Sequence, residues 1–598
     1  MSNFFFIKFK NKCLEKNIIN HELNIFKSIY KPFNKNSIGI SFSKKHAYCL
    51  FYSCNKKEIF EDDKNLFLLN GQPIFNSEIV NVNFFKNKTD ELFDGNMNCP
   101  WTLLNIDKKT NNIFLLQNIL SHKTSYYSET KDFFLLSSDL RSILKTNFIK
   151  NEIDNFFRNL FCFYNYKSVY NRGLSPIKNV YQLKFNEKIS IINNKLEVKK
   201  IKNKDKIFTL NKNLKSNINV GVQRSIEKII KNIYSPYSNS KNCISLSGGI
   251  DSAVLAYSLN KFTNRKLDSV SVIFDKKTRY DETENIKILE KKYINKNYKF
   301  IFKPKNIEDE ILKIYRDFDH PISTVSFFGF QSIFKIISNL GYKNIFSGYG
   351  ADAANCGYYD HYLYNLADLF KKKTSRFKKE LEFWIKKHST SEFPKNINVF
   401  KNFYKDLNKN LTITKTKPLS NYLTYINKNL DKKFPNSDFY QENILNNFSI
   451  NCLQCTSIGP SKDTDQTIDL INSINTISPF SNISFMNIFL SLKNVQKINN
   501  AENKYILKKI YKNKISKKIF SSPKIGFNMP LNEWINFELK DLFMDHLLSK
   551  DCLEKIDINK RKMELLFKEH KSLKENHMML FWQILNFYLW QKEWLNNY

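Results

Sequence analysis

Short apolar runs broken by polar turns fill the first third of the chain: Ile38–Phe42, Ala47–Tyr52, Asn65–Leu69, Trp101–Ile106, Ile113–Leu116, Phe133–Leu136 and Lys188–Ile192. Runs of that length at regular spacing predict an antiparallel, sheet-rich domain. A Lys/Asn-rich stretch of weak periodicity, Asn203–Asn219, is the candidate linker, so residues 1–205 and 206–598 are read as two domains. Beyond it the pattern changes. Cys243–Ser247, Leu267–Phe274, Tyr298–Phe302 and Asn344–Ser347 read as short buried strands. Between them Ser252–Asn260, Glu282–Tyr293 and Phe327–Asn339 carry apolar residues at helical spacing. Strand alternating with helix predicts a parallel α/β sheet. From Tyr358 to Tyr598 the pattern is mostly helical.

Composition narrows the class. Hydrophobic residues make up 42% of the 598, which suits packed cores and excludes a mainly disordered chain. The longest apolar stretches, such as Met578–Phe581, fall far short of the roughly 20 residues of a membrane span. Met1–Lys8 reads as an opening strand rather than a signal peptide, so a cytoplasmic location is expected. The net charge of +37 is spread as lysine along the whole chain, which argues against a nucleic-acid footprint, since that would be a patch. Ten cysteines do not make a disulfide framework, and Cys452-Leu-Gln-Cys455 lacks the second half of a zinc site.

With only 14 glycines, their placement is informative. Ser247-Gly248-Gly249-Ile250-Asp251-Ser252 follows a strand and opens a helix, a context in which backbone N–H groups and the helix N-terminus attract phosphate. Asp251 is placed to hold Mg²⁺ against those phosphates, and Ser245, Ser247, Gly248, Gly249 and Ser252 to bind the nucleotide. Ser347-Gly348-Tyr349-Gly350-Ala351-Asp352 repeats the arrangement, with Gly348 at the nucleotide and Asp352 as a second metal ligand.

The first string is the SGGxDS signature of ATP pyrophosphatases, and both together resemble the asparagine synthetase family, including its β-lactam synthetase and lasso-peptide cyclase relatives. Asp281-Glu282, Ser478-Pro479-Phe480, Lys504 in Asn503–Lys508, and Lys524 in Ser522–Phe527 are similar to further family motifs. Asn70–Asn76, Asp94–Asp107 and Tyr126–Asp139 loosely resemble the family's glutaminase domain. The resemblance implies an N-terminal antiparallel β-sandwich flanked by helices, of the Ntn-hydrolase kind. It implies a C-terminal ATP-pyrophosphatase domain with a largely helical tail, together using ATP and Mg²⁺. Lys504 then lies near the pyrophosphate, and Lys524 at the acyl-adenylate.

Departures from the family pattern carry information too. Position 2 is Ser2 where the family's glutaminases have a nucleophilic cysteine, and Gln117–Ser121 replaces their Arg segment, so no glutamine hydrolysis is expected. Tyr349 replaces the Glu of asparagine synthetases and matches the lactam synthetases, whose Tyr works with a downstream Glu. Glu380 and Glu382 are the candidates here, with Glu382 assigned. The reading is therefore an AMP-forming carbon–nitrogen ligase that activates a carboxylate and couples it to an amine on a small molecule or peptide. Lactam or macrolactam formation is expected, with a precursor peptide and leader protease as partners of a cyclase; an ammonia-dependent asparagine synthetase or a non-catalytic scaffold are the alternatives.

Overall fold

The opening strand, β1 (Ser2–Phe9), is apolar on both faces because it is covered on both. Phe4 and Phe6 join one buried cluster, Phe5 and Ile7 another. The computed structural model describes residues 2–11, 16–30, 38–44, 47–53, 58–86, 97–120, 122–146, 148–164, 169–170, 172–201, 208, 217–274, 281–302, 307–390, 394–408, 419, 442–522 and 530–595.

After β1 come β2 (Ile38–Lys44), β3 (Ala47–Ser53), β4 (Ile59–Glu61), β5 (Asn65–Gly71) and a small hairpin, β6 (Ile74–Phe75) and β7 (Glu78–Ile79). The same half continues with β8 (Trp101–Asp107), β9 (Ile113–Gln117), β10 (Tyr126–Glu129), β11 (Phe133–Ser137), β12 (Tyr181–Gln182), β13 (Glu187–Ile192) and β14 (Lys195–Lys200). Among the described residues they form two six-stranded sheets, β12-β10-β11-β1-β3-β2 and β14-β13-β9-β8-β5-β4. Every pairing within them is antiparallel. Phe4, Phe6, Phe51, Leu104, Leu136 and Ile191 share one core, so the sheets face each other as a sandwich. On the outer face of β1, Phe5 and Ile7 pack with Phe26 and Tyr30 of the helix Lys16–Tyr30. The same cluster takes in the last described helix, Met578–Leu595, where Phe587 meets Phe161 at a ring-centroid distance of 6.0 Å.

The second half is built on β15 (Asn242–Ser245), β16 (Leu267–Phe274), β17 (Ile294–Phe302), β18 (Asn344–Ser347) and β19 (Asn475–Ile477). Their order is β17-β16-β15-β18-β19 and all pairs are parallel. The chain runs outward from β15 through β16 to β17, then crosses to β18 on the other side. The order reverses between β15 and β18, which is where an open α/β sheet leaves its ligand crevice.

Three expectations need adjusting. β15 ends at Ser245, two residues before the predicted limit, because the backbone already turns toward the glycines. β17 starts at Ile294 rather than Tyr298, since Ile294 and Asn297 already pair with Leu267 and Ser269 of β16 across a register irregularity. β19 was hidden in the apparently helical tail because three residues are too few for a period to show. No described helix is long and apolar enough to cross a membrane.

Candidate active site

Both glycine loops leave adjacent strands in matching register, Ser245 of β15 opposite Ser347 of β18. Each is tied by a serine. The Gly249 N–H donates to Ser247 Oγ at 3.3 Å, and the Tyr349 N–H to Ser347 Oγ at 3.2 Å. Ser252 closes the first turn, its hydroxyl lying 2.7 Å from the Ser247 carbonyl and 3.1 Å from Ser247 Oγ. The helix Ile250–Thr263 begins directly after, with Asp251 in its first turn. Asp352 occupies the equivalent place in the short helix Ala351–Ala354 after the second loop.

The loops touch: a Cβ on Gly348 would come within 3.2 Å of Asp251. What joins them chemically is Lys504. Its ammonium lies 2.5 Å from Asp251 Oδ2 and 2.6 Å from Asp352 Oδ1, with the lysine 2% exposed. Burial alone would lower its pKa, but the two carboxylates outweigh that and hold it above the ordinary lysine value. Lys504 also adopts a left-handed backbone, φ 52°, at the N-cap of the helix Tyr505–Tyr511. Two acids and one base leave a net charge of −1, which suits a further cation rather than a bare anion. Two hard carboxylates on separate loops, each with a second oxygen, are the donor chemistry of Mg²⁺.

Two glycines here have no substitute. Gly350 sits at φ 89°, and a Cβ on it would lie 2.2 Å from Ser481 Oγ. A Cβ on Gly357 would fall 1.9 Å from Asp352 Oδ1 and 2.7 Å from Lys504 Cε. Gly357→Ala is therefore expected to push Asp352 off the lysine and lower ATP turnover by about 10² or more, as a misplaced catalytic geometry does. A steady-state ATP assay beside a far-ultraviolet spectrum checks it; wild-type turnover in a folded variant contradicts the site.

Glu282, of the Asp281-Glu282 pair, accepts from the Gly248 N–H at 3.2 Å. A phosphate taking that N–H must displace the carboxylate, so the loop is held shaped by an internal anion. Asn285 braces it from the same helix, its amide donating to the Gly248 carbonyl at 3.3 Å and to Ser522 Oγ at 2.9 Å. Neither Asn285 nor Ser481 was singled out from sequence, because lone amides and hydroxyls carry no pattern.

Tyr349 is placed beside the site, its hydroxyl donating to the Ser457 carbonyl at 2.5 Å. That carbonyl belongs to a π-helical turn, Leu453–Ile458, the kind of irregularity that often marks functional positions. The glutamates are placed less simply. Glu382, the assigned partner, is exposed on the helix Arg376–His388. Glu380 is buried and occupied by Arg376 at 2.9 Å and by the N–H groups of Asn500 and Ala501 at 2.9 and 3.0 Å. It thereby fixes the turn leading into Lys504. Lys524 lies outside the described residues. Cys452 and Cys455 are both buried free thiols, and among the described residues neither belongs to a cluster of ligand atoms close enough to hold a metal ion.

Comparison with known proteins places these observations. The sequence pattern of the asparagine synthase family matches residues 238–592, which takes in both glycine loops, Lys504 and most of the helical tail. A protein of Methanocaldococcus jannaschii described as a glutamine-hydrolysing asparagine synthetase 2 is 25% identical over 285 residues, 44% of this chain and 50% of that protein. The chain thus spans about half the length of the curated relative it matches. Among solved structures, the allosteric regulatory enzyme of purine biosynthesis aligns at 7% identity and TM-score 0.24, covering 51% of this chain and 81% of that one. The U34-tRNA thiolase NcsA of Methanococcus maripaludis aligns at 13% identity and TM-score 0.19, covering 50% and 89%.

Proposed function

The chain belongs to the asparagine synthase family, and from that premise we propose that it is an ATP-dependent, AMP-forming carbon–nitrogen ligase. A substrate carboxylate oxygen attacks the α-phosphate and pyrophosphate leaves; an amine then attacks the acyl carbon and AMP leaves. The observation that carries the reading is Lys504 joining Asp251 and Asp352 across the two loops. Bound there, Mg²⁺ would supply charge neutralisation to the departing pyrophosphate, held by Asp251 and Asp352. Ser247, Gly248, Gly249 and Ser252 shape the phosphate cradle, Ser245 and Gly348 bound it, and Lys504 keeps a positive charge on the pyrophosphate side. Lys524 is assigned to the acyl-adenylate.

Tyr349 in place of a carboxylate favours an amine carried by the substrate, as in lactam or macrolactam formation on a small molecule or peptide. The test is ATP–pyrophosphate exchange with a panel of amino acids and short peptides. Exchange with one of them, and AMP as product, supports the reading; ADP and phosphate as products, or no exchange with any, overturn it.

The N-terminal half is proposed as a glutaminase-like sandwich that feeds no ammonia. Gln117, where the family's Arg segment would be, is fully buried and its amide donates to the Lys184 carbonyl at 2.8 Å. A neutral, internally bonded amide offers nothing to a glutamine carboxylate. Glutamate release from glutamine is therefore expected to stay at background, and Ser2→Ala to leave ATP turnover unchanged. Glutamate formed at the rate of ATP consumption contradicts this.

A further inference from the structure

The helices Lys560–Lys571 and Met578–Leu595 are joined by a turn that brings two glutamates onto one histidine. Glu569 comes from the last turn of the first helix, Glu575 from the connection, and His577 from the residue before the second helix. His577 Nε2 lies 3.0 Å from Glu569 Oε2 and 4.0 Å from Glu575 Oε2. Each of the three side chains offers a ligand atom, and these atoms all fall within 4.8 Å of one another. None of the three belongs to the glycine-loop site.

The backbone beneath them is held in place. The Glu569 carbonyl accepts from the Lys574 N–H at 3.1 Å, which folds the connection back on the helix end. The His577 N–H donates to His570 Nδ1 at 3.1 Å. Both imidazoles also lie against Phe581, with ring centroids 6.1 Å away for His577 and 5.4 Å for His570. The His577 side chain is fully covered and that of Glu569 nearly so, whereas Glu575 faces solvent. An ion entering here meets two donors fixed by packing and a third on the open side.

We propose that Glu569, Glu575 and His577 form a site for a divalent transition-metal ion of the Zn²⁺ kind, which clasps the helix Met578–Leu595 to the one before it. Two carboxylate oxygens and one imidazole nitrogen, completed by water, are donors that zinc accepts, and the nitrogen selects against Mg²⁺ and Ca²⁺. With metal–ligand bonds of about 2.1 Å, tetrahedral donors stand about 3.4 Å apart. The observed 3.0 and 4.0 Å bracket that spacing, so only small side-chain shifts are needed. Without the ion, Nε2–H donates to Glu569; with it, the ring proton sits on Nδ1 and Nε2 gives its lone pair. Nδ1 is buried with no hydrogen-bond partner among the described residues. A zinc histidine that lacks this outer partner binds about 10–100-fold more weakly than a braced one, which sets the expected affinity in the micromolar range. The clasped helix ties the two halves of the chain: Gln583 donates to the Tyr164 carbonyl at 2.5 Å, and Trp594 Nε1 to the Tyr315 carbonyl at 2.7 Å.

One group opposes the ion. The Lys574 ammonium lies 3.6 Å from Glu569 Oε1, on a side chain that is mostly exposed and can turn out to water. That competition supplies a test that a merely structural His–Glu contact would not pass.

The full chain, stripped with a chelator, is titrated with ZnCl₂ by calorimetry and with CoCl₂ by visible absorption. Wild type should bind Zn²⁺ with a Kd on the order of micromolar, and Co²⁺ should show ligand-field bands without a dominant thiolate charge-transfer band. His577→Gln and Glu575→Gln should each weaken zinc binding about tenfold or more. Glu575 is solvent-facing, so its variant serves even if the buried histidine cannot be replaced without unfolding. Lys574→Met should tighten zinc binding about threefold or more, because it removes a competing cation. Failure of wild type to bind zinc overturns the proposal, as does equal affinity in wild type and Glu575→Gln. So does a cobalt spectrum dominated by thiolate, a weaker site in Lys574→Met, or displacement of the zinc by excess MgCl₂. No readout depends on ATP turnover, so the result stands apart from the ligase reading.

Discussion

Lys504→Met is expected to lower ATP–pyrophosphate exchange by about 10²–10³ and to destabilise the fold at the same time. The first effect follows from removing a fixed positive charge at the departing pyrophosphate; loss of one such preorganised group commonly costs ~3–4 kcal/mol of transition-state stabilisation. The second follows from burial. Asp251 and Asp352 both pair with this ammonium at 2.5 and 2.6 Å, and without it two carboxylates face each other across the loops. Removing one partner of a buried pair typically costs about 3–5 kcal/mol. The effects separate in a second variant. Lys504→Met combined with Asp251→Asn and Asp352→Asn removes all three charges, so it should recover most of the lost melting temperature while staying inactive. Exchange in Lys504→Met within tenfold of wild type contradicts the assignment, and so does an active triple variant.

Much of this site was legible because its chemistry needs glycine. Gly348 and Gly350 stand out in a glycine-poor chain, and the contacts a Cβ would make at Gly350 and Gly357 show why no other residue serves. The parallel sheet was legible for a similar reason: β15 and β18 are short, largely buried and each followed by a glycine loop and a helix. What stayed hidden is what depends on distant pairing. The link from Glu282 back to Gly248 spans 34 residues, and that from Asp463 to Thr124 spans 339. Nothing local marks such partners. Nothing local marks Lys462-Asp463-Thr464-Asp465 as interior, yet Lys462 and Thr464 are buried, the Thr464 hydroxyl lying 3.3 Å from His320 Nε2. Glu380 and Glu382 show the same limit from the other side: spacing proposed both as partners of Tyr349, and only packing distinguishes the buried brace from the exposed carboxylate.

Lys524→Met is expected to be the most costly single change for amide formation, beyond its effect on adenylation. Negative charge gathers twice in the proposed reaction, on the α-phosphate and then on the oxyanion of the tetrahedral intermediate, and a cation reaching both stages is needed twice. Lys524 itself lies outside the described residues, but the chain just before it is fixed. Ser522 is held by Asn285, which also holds the carbonyl of Gly248, so the chain passes beside the phosphate loop two residues ahead of Lys524. In a lysine-rich chain, the alternative is a solvated side chain with no role. Lys517 and Lys518 are just that, both exposed on the helix Lys517–Ser521, and they serve as controls. Each as Met should leave product formation within about twofold, since exposed charges away from the crevice act weakly. Lys524→Met should lower it by about 10²–10³ or more, the worth of one oxyanion donor. The loss should be larger for product formation than for ATP–pyrophosphate exchange, because the second stage is lost on top of the first. Equal rates for Lys524→Met and the two controls would remove this lysine from the site.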